Sequence, residues 1–236
     1  MISGKIEVKL QCEVFNTFRC KLACDSVDLD VNTKSVHHLI IDDVKLPESW
    51  NVGIIYGASG SGKTTLAKKL WGQDVFKHVV DDEKSIIDQL PEAYNYDECA
   101  SILMSIGLTS IPCWVRPVKT LSGGQRARAE ATLLMCQDEE LTVIDEWTSV
   151  VDRTVAKAMS NSIQNHARKK NKKIILLSCH YDIIEWLRPQ WLIDCNKGEF
   201  ILPENDGFFL HRKKSSDLKS GRLIANHGDT LASIII

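Results

Sequence analysis

The sequence predicts an α/β fold: a mainly parallel sheet with an antiparallel β layer at its N-terminus and a short helical subdomain inserted. Three observations predict it. Short apolar runs without strict alternation (Val52-Gly53-Ile54-Ile55-Tyr56, Leu141-Thr142-Val143-Ile144 and Ile174-Ile175-Leu176-Leu177) have the length and composition of strands covered on both faces. Helical stretches lie between these runs, as the crossovers of a parallel sheet require. Ahead of them, Ile6, Val8, Leu10, Cys12 and Val14 alternate with mostly polar residues, the period of a strand covered on one face.

Leu39-Ile40-Ile41 and Val44 supply a second strand for the N-terminal layer. Val52 to Tyr56 runs into a Gly/Ser loop and then a helix from Leu66 to Trp71. The stretch from about 90 to 136 is expected to form the helical subdomain. Val155, Met159 and Ile163 recur at i, i+4 and i+8, which gives a helix one apolar stripe. A strand from Ile174 to Cys179 follows. After Phe200 the pattern fades. Residues 1–200 are therefore expected to form one domain, and residues 201–236 an unassigned tail that is basic and then mixed.

The chain has 236 residues, with 29 Lys+Arg against 31 Asp+Glu and 44% hydrophobic residues. That length suits one full-sized domain with a short appendage. No apolar stretch approaches the roughly 20 residues that span a bilayer. The start, Met1 to Leu10, lacks the apolar block of a signal peptide. The net charge of −2 excludes a grossly basic nucleic-acid binder. Two local basic runs remain, Arg168 to Lys173 and His211 to Lys214, and the first also reads as a solvated helix end. The 8 cysteines suit free thiols in a reducing cytosol; a zinc set of Cys12, Cys20, Cys24 and His37 or His38 is the alternative.

Gly57-Ala58-Ser59-Gly60-Ser61-Gly62-Lys63-Thr64-Thr65 fits G-x-x-x-x-G-K-[ST] in full, after a buried strand and before a helix. Its glycines let successive N–H groups point at one anion, and the helix N-terminus adds partial positive charge. Lys63 is placed to reach β- and γ-phosphate oxygens, and Thr64 to offer its hydroxyl to Mg²⁺. The strand ending at Ile144 delivers Asp145 and Glu146 to the edge where parallel sheets bind ligands. Asp145 suits the metal. Glu146, pointing elsewhere, suits polarisation of an attacking water. Leu121-Ser122-Gly123-Gly124-Gln125 is more selective. Ser122 and Gln125 read as a capping box, and the two glycines leave a bare helix N-terminus, a second anion site. Two chains packed head-to-tail can bring both anion sites to one phosphate group.

These motifs, with Ser149-Val150-Val151-Asp152 and His180 after them, resemble the ABC-type ATPase family over roughly Val52 to Cys195. The resemblance implies a phosphate-loop nucleotide hydrolase with ATP and Mg²⁺ as cofactors. It implies that Ser122, Gly123, Gly124 and Gln125 contact the γ-phosphate of ATP held on a partner's loop. Ser149 to Asp152 become the D-loop that couples two composite sites, and His180 the switch histidine. Gln89 is chosen as the Q-loop glutamine, with catalytic and metal roles, and Gln73 competes for that place. Metal ligation is thus expected from Thr64, Asp145 and Gln89, and catalysis from Glu146, His180 and Gln89. Phe15 and Phe18 are candidates for stacking on adenine, against ordinary core use in a strand.

Two departures bear on function. Trp147 stands where the family usually has Pro, and the interval from Gln89 to Leu121 is short. Transporter ATPases carry a larger helical subdomain there, which receives the membrane domain. A closer resemblance lies in Ile111 to Pro117, Glu146 to Arg153 and Ser178 to Pro189. These are similar to soluble prokaryotic and phage ABC ATPases, some fused to an acetyltransferase domain. The expected function is a soluble, cytoplasmic ATPase that forms a homodimer on ATP binding, drives a protein or nucleic-acid partner and does not insert into membranes. The alternative is the ATP-binding subunit of a transporter with membrane subunits on separate chains. A third reading, an ATP-gated clamp with little turnover, sits poorly with Glu146 and His180.

Overall fold

The computed structural model describes residues 2–12, 15, 17–28, 35–76 and 80–203. The expected strand residue Val14, the basic run 211–214 and almost all of the tail lie outside them. The side chains of Cys12 and His37 are likewise outside the description. Among the described residues, no three His, Cys, Asp or Glu side chains gather as a metal ion would need.

Strands β1 (Ser3–Cys12) and β2 (Ser35–Lys45) form an antiparallel pair, with a bulge between Gly4 and Ile6. The main sheet has the order β4-β5-β3-β6-β7. In it β3 (Val52–Tyr56), β4 (Leu141–Ile144), β5 (Lys173–Ser178) and β6 (Trp191–Asp194) run parallel, and β7 (Glu199–Ile201) closes one edge antiparallel. The helices are α1 (Phe18–Asp25), α2 (Lys63–Trp71), α3 (Tyr96–Ser105), α4 (Gly123–Cys136), α5 (Arg153–Lys170) and α6 (Ile183–Leu187). The stretch 90–136 carries α3 and α4 joined through two single helical turns, 111–113 and 118–120.

Alternation along the strands divides the interior in two. Val52, Ile54, Ile174 and Leu176 join the core under α3, α4 and α5. Ile55, Ile175, Leu177 and Ile193 join the core that β1, β2 and α2 cover. This two-sided burial is why those strands read as continuous apolar runs. Gly53 sits where Trp191 crosses its face: a Cβ there would lie 2.0 Å from the indole. On α5, Met159 and Ile163 are buried and Val155 is partly buried, so the expected stripe faces the core.

Phe15 and Phe18 depart from the core expectation. Phe15 lies outside any strand, Phe18 opens α1, and they are 73% and 76% exposed. Neither takes the place of a buried strand residue, since Phe15 belongs to no strand and Phe18 lies in α1.

Candidate functional site

The carboxyl ends of β3, β4 and β5 carry the chemistry. After Tyr56 the chain turns through Gly60 (φ 77) and Gly62 (φ 90), left-handed conformations that glycine adopts without strain. A Cβ on Gly57 would lie 2.3 Å from Ser61 Oγ and 3.0 Å from Cys195 Cβ, so a side chain there would displace Ser61 within the cradle. Lys63, buried, donates to the carbonyls of Gly57 (3.0 Å) and Ala58 (2.9 Å). Ser61 Oγ is buried with no hydrogen-bond partner. An orphaned hydroxyl in a glycine cradle beside a lysine and a helix N-terminus fits a phosphate oxygen. Asn196, just past β6, accepts from Ala58 N (2.8 Å) and braces the loop from the neighbouring strand.

Thr64 Oγ1 donates to Asp145 Oδ2 at 2.7 Å, joining loop and acid pair across 81 positions of sequence. A hydroxyl beside a carboxylate is a hard-oxygen donor set of the kind Mg²⁺ prefers. Glu146 has φ 49, and its N–H donates to Asp145 Oδ1 (2.8 Å). This left-handed backbone turns the second acid away from the first. Its carboxylate instead accepts from Ser149 Oγ at 2.6 Å. Trp147 is 1% exposed; its N–H donates to Leu177 O (2.8 Å) and its indole N–H to Ser160 Oγ (3.1 Å). Indole burial thus anchors the turn at the position where the family usually has Pro.

Ser178, at the end of β5, ties the acid turn to the histidine. Its hydroxyl donates to Trp147 O (3.0 Å) and accepts from His180 N (3.1 Å). Asp152 caps α5, accepting from Thr154 N (2.9 Å) and Val155 N (3.0 Å). Val150 and Tyr181, on either side of this arrangement, are 60% and 56% exposed. Burial, reinforced by Asp194 nearby, pushes the Tyr56 phenol up from its ordinary value.

The segment Leu121 to Gln125 folds as the S-x-x-Q spacing implies. Gln125 N donates to Ser122 Oγ (3.4 Å) and Ser122 N to Gln125 Oε1 (3.0 Å), so both arms of the capping box form. Arg116 also donates to Gln125 Oε1 (3.0 Å), and Gln125 Nε2 to Cys113 Sγ (3.2 Å). A Cβ on Gly123 would meet nothing within 4 Å, which leaves the helix end open; one on Gly124 would lie 3.2 Å from Val150 O. Residues 82–87 run antiparallel to 114–119, through Ile87 N to Trp114 O, Val118 N to Lys84 O and Lys119 N to Asp82 O. Arg126 of α4 pairs with Asp82 in the same region.

The structure therefore gathers the phosphate loop, Asp145, Glu146, Ser149 and, through Ser178, His180. Among the described residues, no hydrogen bond joins Gln89 or Ser122 to Gln125 to that group. The Gln89 amide is taken up locally, accepting from Asp81 N (2.7 Å) and donating to Asp81 O (2.9 Å) and Ser85 O (3.1 Å). Gln73 is exposed. In the sequence Asn196 has no assigned role, and Ser178 none beyond opening the segment Ser178 to Pro189. Their position at the carboxyl ends of strands flanking β3 was the available signal.

This sheet order, with a glycine loop after its central strand and an acid pair after a neighbouring strand, defines a nucleotide-binding α/β domain of the phosphate-loop class. More narrowly, curated relatives support an ABC-type ATPase nucleotide-binding domain and point to ATP hydrolysis, and solved ATP-binding cassettes share its fold. No family model matches the chain. The achromobactin transport ATP-binding protein of Dickeya dadantii is 27% identical over 193 residues, which cover 60% of this chain and 70% of that protein. The energy-dependent translational throttle protein EttA of Haemophilus influenzae is 27% identical over 158 residues, 52% of this chain but only 27% of that protein. A dimeric ATP-binding cassette solved in a post-hydrolysis state with ADP and Pi superposes with a TM-score of 0.57 at 13% identity, covering 88% of this chain and 100% of that one. The last likeness bears on the fold.

Proposed function

We propose that the chain is a soluble ABC-type ATPase that binds Mg-ATP, dimerises head-to-tail and hydrolyses ATP to drive a protein or nucleic-acid partner. The observation that carries hydrolysis is the Thr64–Asp145 hydrogen bond at 2.7 Å, with Lys63 one residue before it and Glu146 one residue after. Thr64 and Asp145 would hold Mg²⁺, which when bound offsets phosphate charge. Lys63 and the N–H groups of the loop orient the triphosphate. Glu146, kept off the metal side by its own backbone turn, accepts a proton from the attacking water, and Ser149 holds that carboxylate in place. His180 offers a second contact to the transferred phosphoryl group.

Dimerisation is supported by the bare N-terminus of α4 at Gly123, an anion site that no hydrogen bond links to its own chain's phosphate loop. Exposed Val150, whose carbonyl would lie 3.2 Å from a Cβ on Gly124, gives the neighbourhood of that helix end apolar surface for a second copy. Gln89 stays the Q-loop choice by order in the sequence, although its amide bonds favour a role in bracing residues 81–89. Residues 1–200 as the ATP-binding domain, and kinship with soluble prokaryotic and phage ABC ATPases, belong to the same reading.

In the basic run Arg168 to Lys173, which spans the end of α5 and the start of β5, Arg168 donates to Leu187 O and Arg188 O, Lys172 to Met135 O and Lys173 to Glu140. The transporter-subunit reading is favoured by the Dickeya relative's name, so capture from native cells separates the two: co-purifying polytopic membrane protein would sink the soluble reading. For hydrolysis, Glu146→Gln is expected to cut turnover by about a hundredfold or more and to accumulate an ATP-bound dimer on size exclusion. A monomeric variant that still turns over ATP contradicts the mechanism.

A further inference from the structure

We propose that Arg153 is a positioning residue that sets the spacing between Glu146 and His180. The inference rests on the hydrolytic reading above. Two arches of chain carry those groups, 146–153 and 178–182. They are stapled at one end by Ser178, whose hydroxyl bridges Trp147 O and His180 N. At the other end stands Arg153, the first residue of α5. Its Nε donates to Asp182 Oδ2 (2.8 Å) and its Nη2 to Asp182 Oδ1, a bidentate pair. The guanidinium also lies 5.4 Å from the ring centroid of Trp186 in α6.

Asp182 occupies the N-cap position of α6 yet makes no side-chain capping bond. Both of its oxygens go to Arg153 instead, so the carboxylate serves the link between arches and not its own helix. Arg153 follows Asp152, the cap of α5, and Asp182 lies two residues beyond His180. Ser149 in the first arch holds the Glu146 carboxylate. A rigid fork at Arg153 thus fixes the distance between the turn that orients Glu146 and the turn that presents His180. Only a planar guanidinium does this, because a lysine ammonium makes a point contact and leaves the arches free to rotate. Neither residue of the pair belongs to the phosphate loop, which meets the arches at their stapled end, where Gly57 N donates to Ser178 O (3.2 Å), so the link is expected to act on turnover more than on nucleotide affinity.

The test is steady-state ATP hydrolysis by the full chain with Mg²⁺, for Arg153→Lys, Asp182→Asn and the double variant, with thermal melting of each. Expected are KM within about twofold of wild type and kcat lower by about tenfold in both single variants. The double variant should lose no more than the worse single, since both remove one link. Equal loss of kcat and rise in KM, additive losses in the double, or unchanged kcat with a lowered melting point would each overturn the assignment. A wild-type chain without ATP turnover overturns the hydrolytic reading and this inference with it. Cooperatively folded variants with full kcat overturn this inference alone.

Discussion

Thr148 is a β-branched residue at φ 67, and Glu146 two residues earlier stands at φ 49. Left-handed backbone costs such a residue about 1–3 kcal/mol. The Thr148 hydroxyl is also buried without a partner. Strain of this kind persists only where the surroundings over-determine it, here through the buried Trp147 between the two residues. Thr148→Gly should therefore raise the melting temperature and lower kcat, since relaxing the turn loosens Glu146. Calorimetry and turnover on the same preparation check this, and a variant gaining both stability and rate would contradict it. None of this strain is legible in the sequence, where Glu146-Trp147-Thr148 shows only a departure from an expected Pro. The loop glycines were legible, because the spacing of Gly57, Gly60 and Gly62 encodes the cradle directly.

At the scale of elements, α4 is held at both ends. Its N-terminus carries the capping box, and its last turn presents Met135 O to His166 Nε2 (2.9 Å) and Lys172 Nζ (3.3 Å). Burial, with Lys172 and its neighbours adding repulsion, lowers the His166 pKa from 6.5, against the Met135 hydrogen bond. The unfolded chain therefore takes up the proton first as pH falls. Stability is intact above the unfolded value, declines as pH drops through about 6.5, and levels off below the folded value. His166→Gln, which retains a donor, should flatten that decline in melting temperature between about pH 7 and 5. An unchanged slope would assign the decline to other groups. The capping box was legible because its partners sit three positions apart. The anchoring of α4 by α5 was not, since Met135 and His166 are 31 positions apart and nothing local announces the pair. The same holds for Arg153 and Asp182, and for Ala58 and Asn196.

Across the whole molecule, one sheet separates two cores, and its centre tolerates little change. Replacing Gly53 by Ala puts a methyl into the Trp191 ring, which also meets Trp50 edge-on (5.2 Å between centroids) and Trp71 stacked (5.9 Å). That variant is expected to lose about 3 kcal/mol, read as a lower urea midpoint. A wild-type midpoint would show that the aromatic cluster can shift. The parallel strands were legible from their apolar runs, yet the glycine within β3 looked unremarkable without its partner. Trp147 has a different consequence. Its indole is sealed from solvent, hydrogen-bonded to Ser160, and adjacent in sequence to Glu146. Any shift of the acid turn changes the polarity around that ring, so the difference in emission between the native chain and a Trp147→Phe variant isolates the signal of that turn. The emission of one native side chain then reports movement of the turn in real time, without a label.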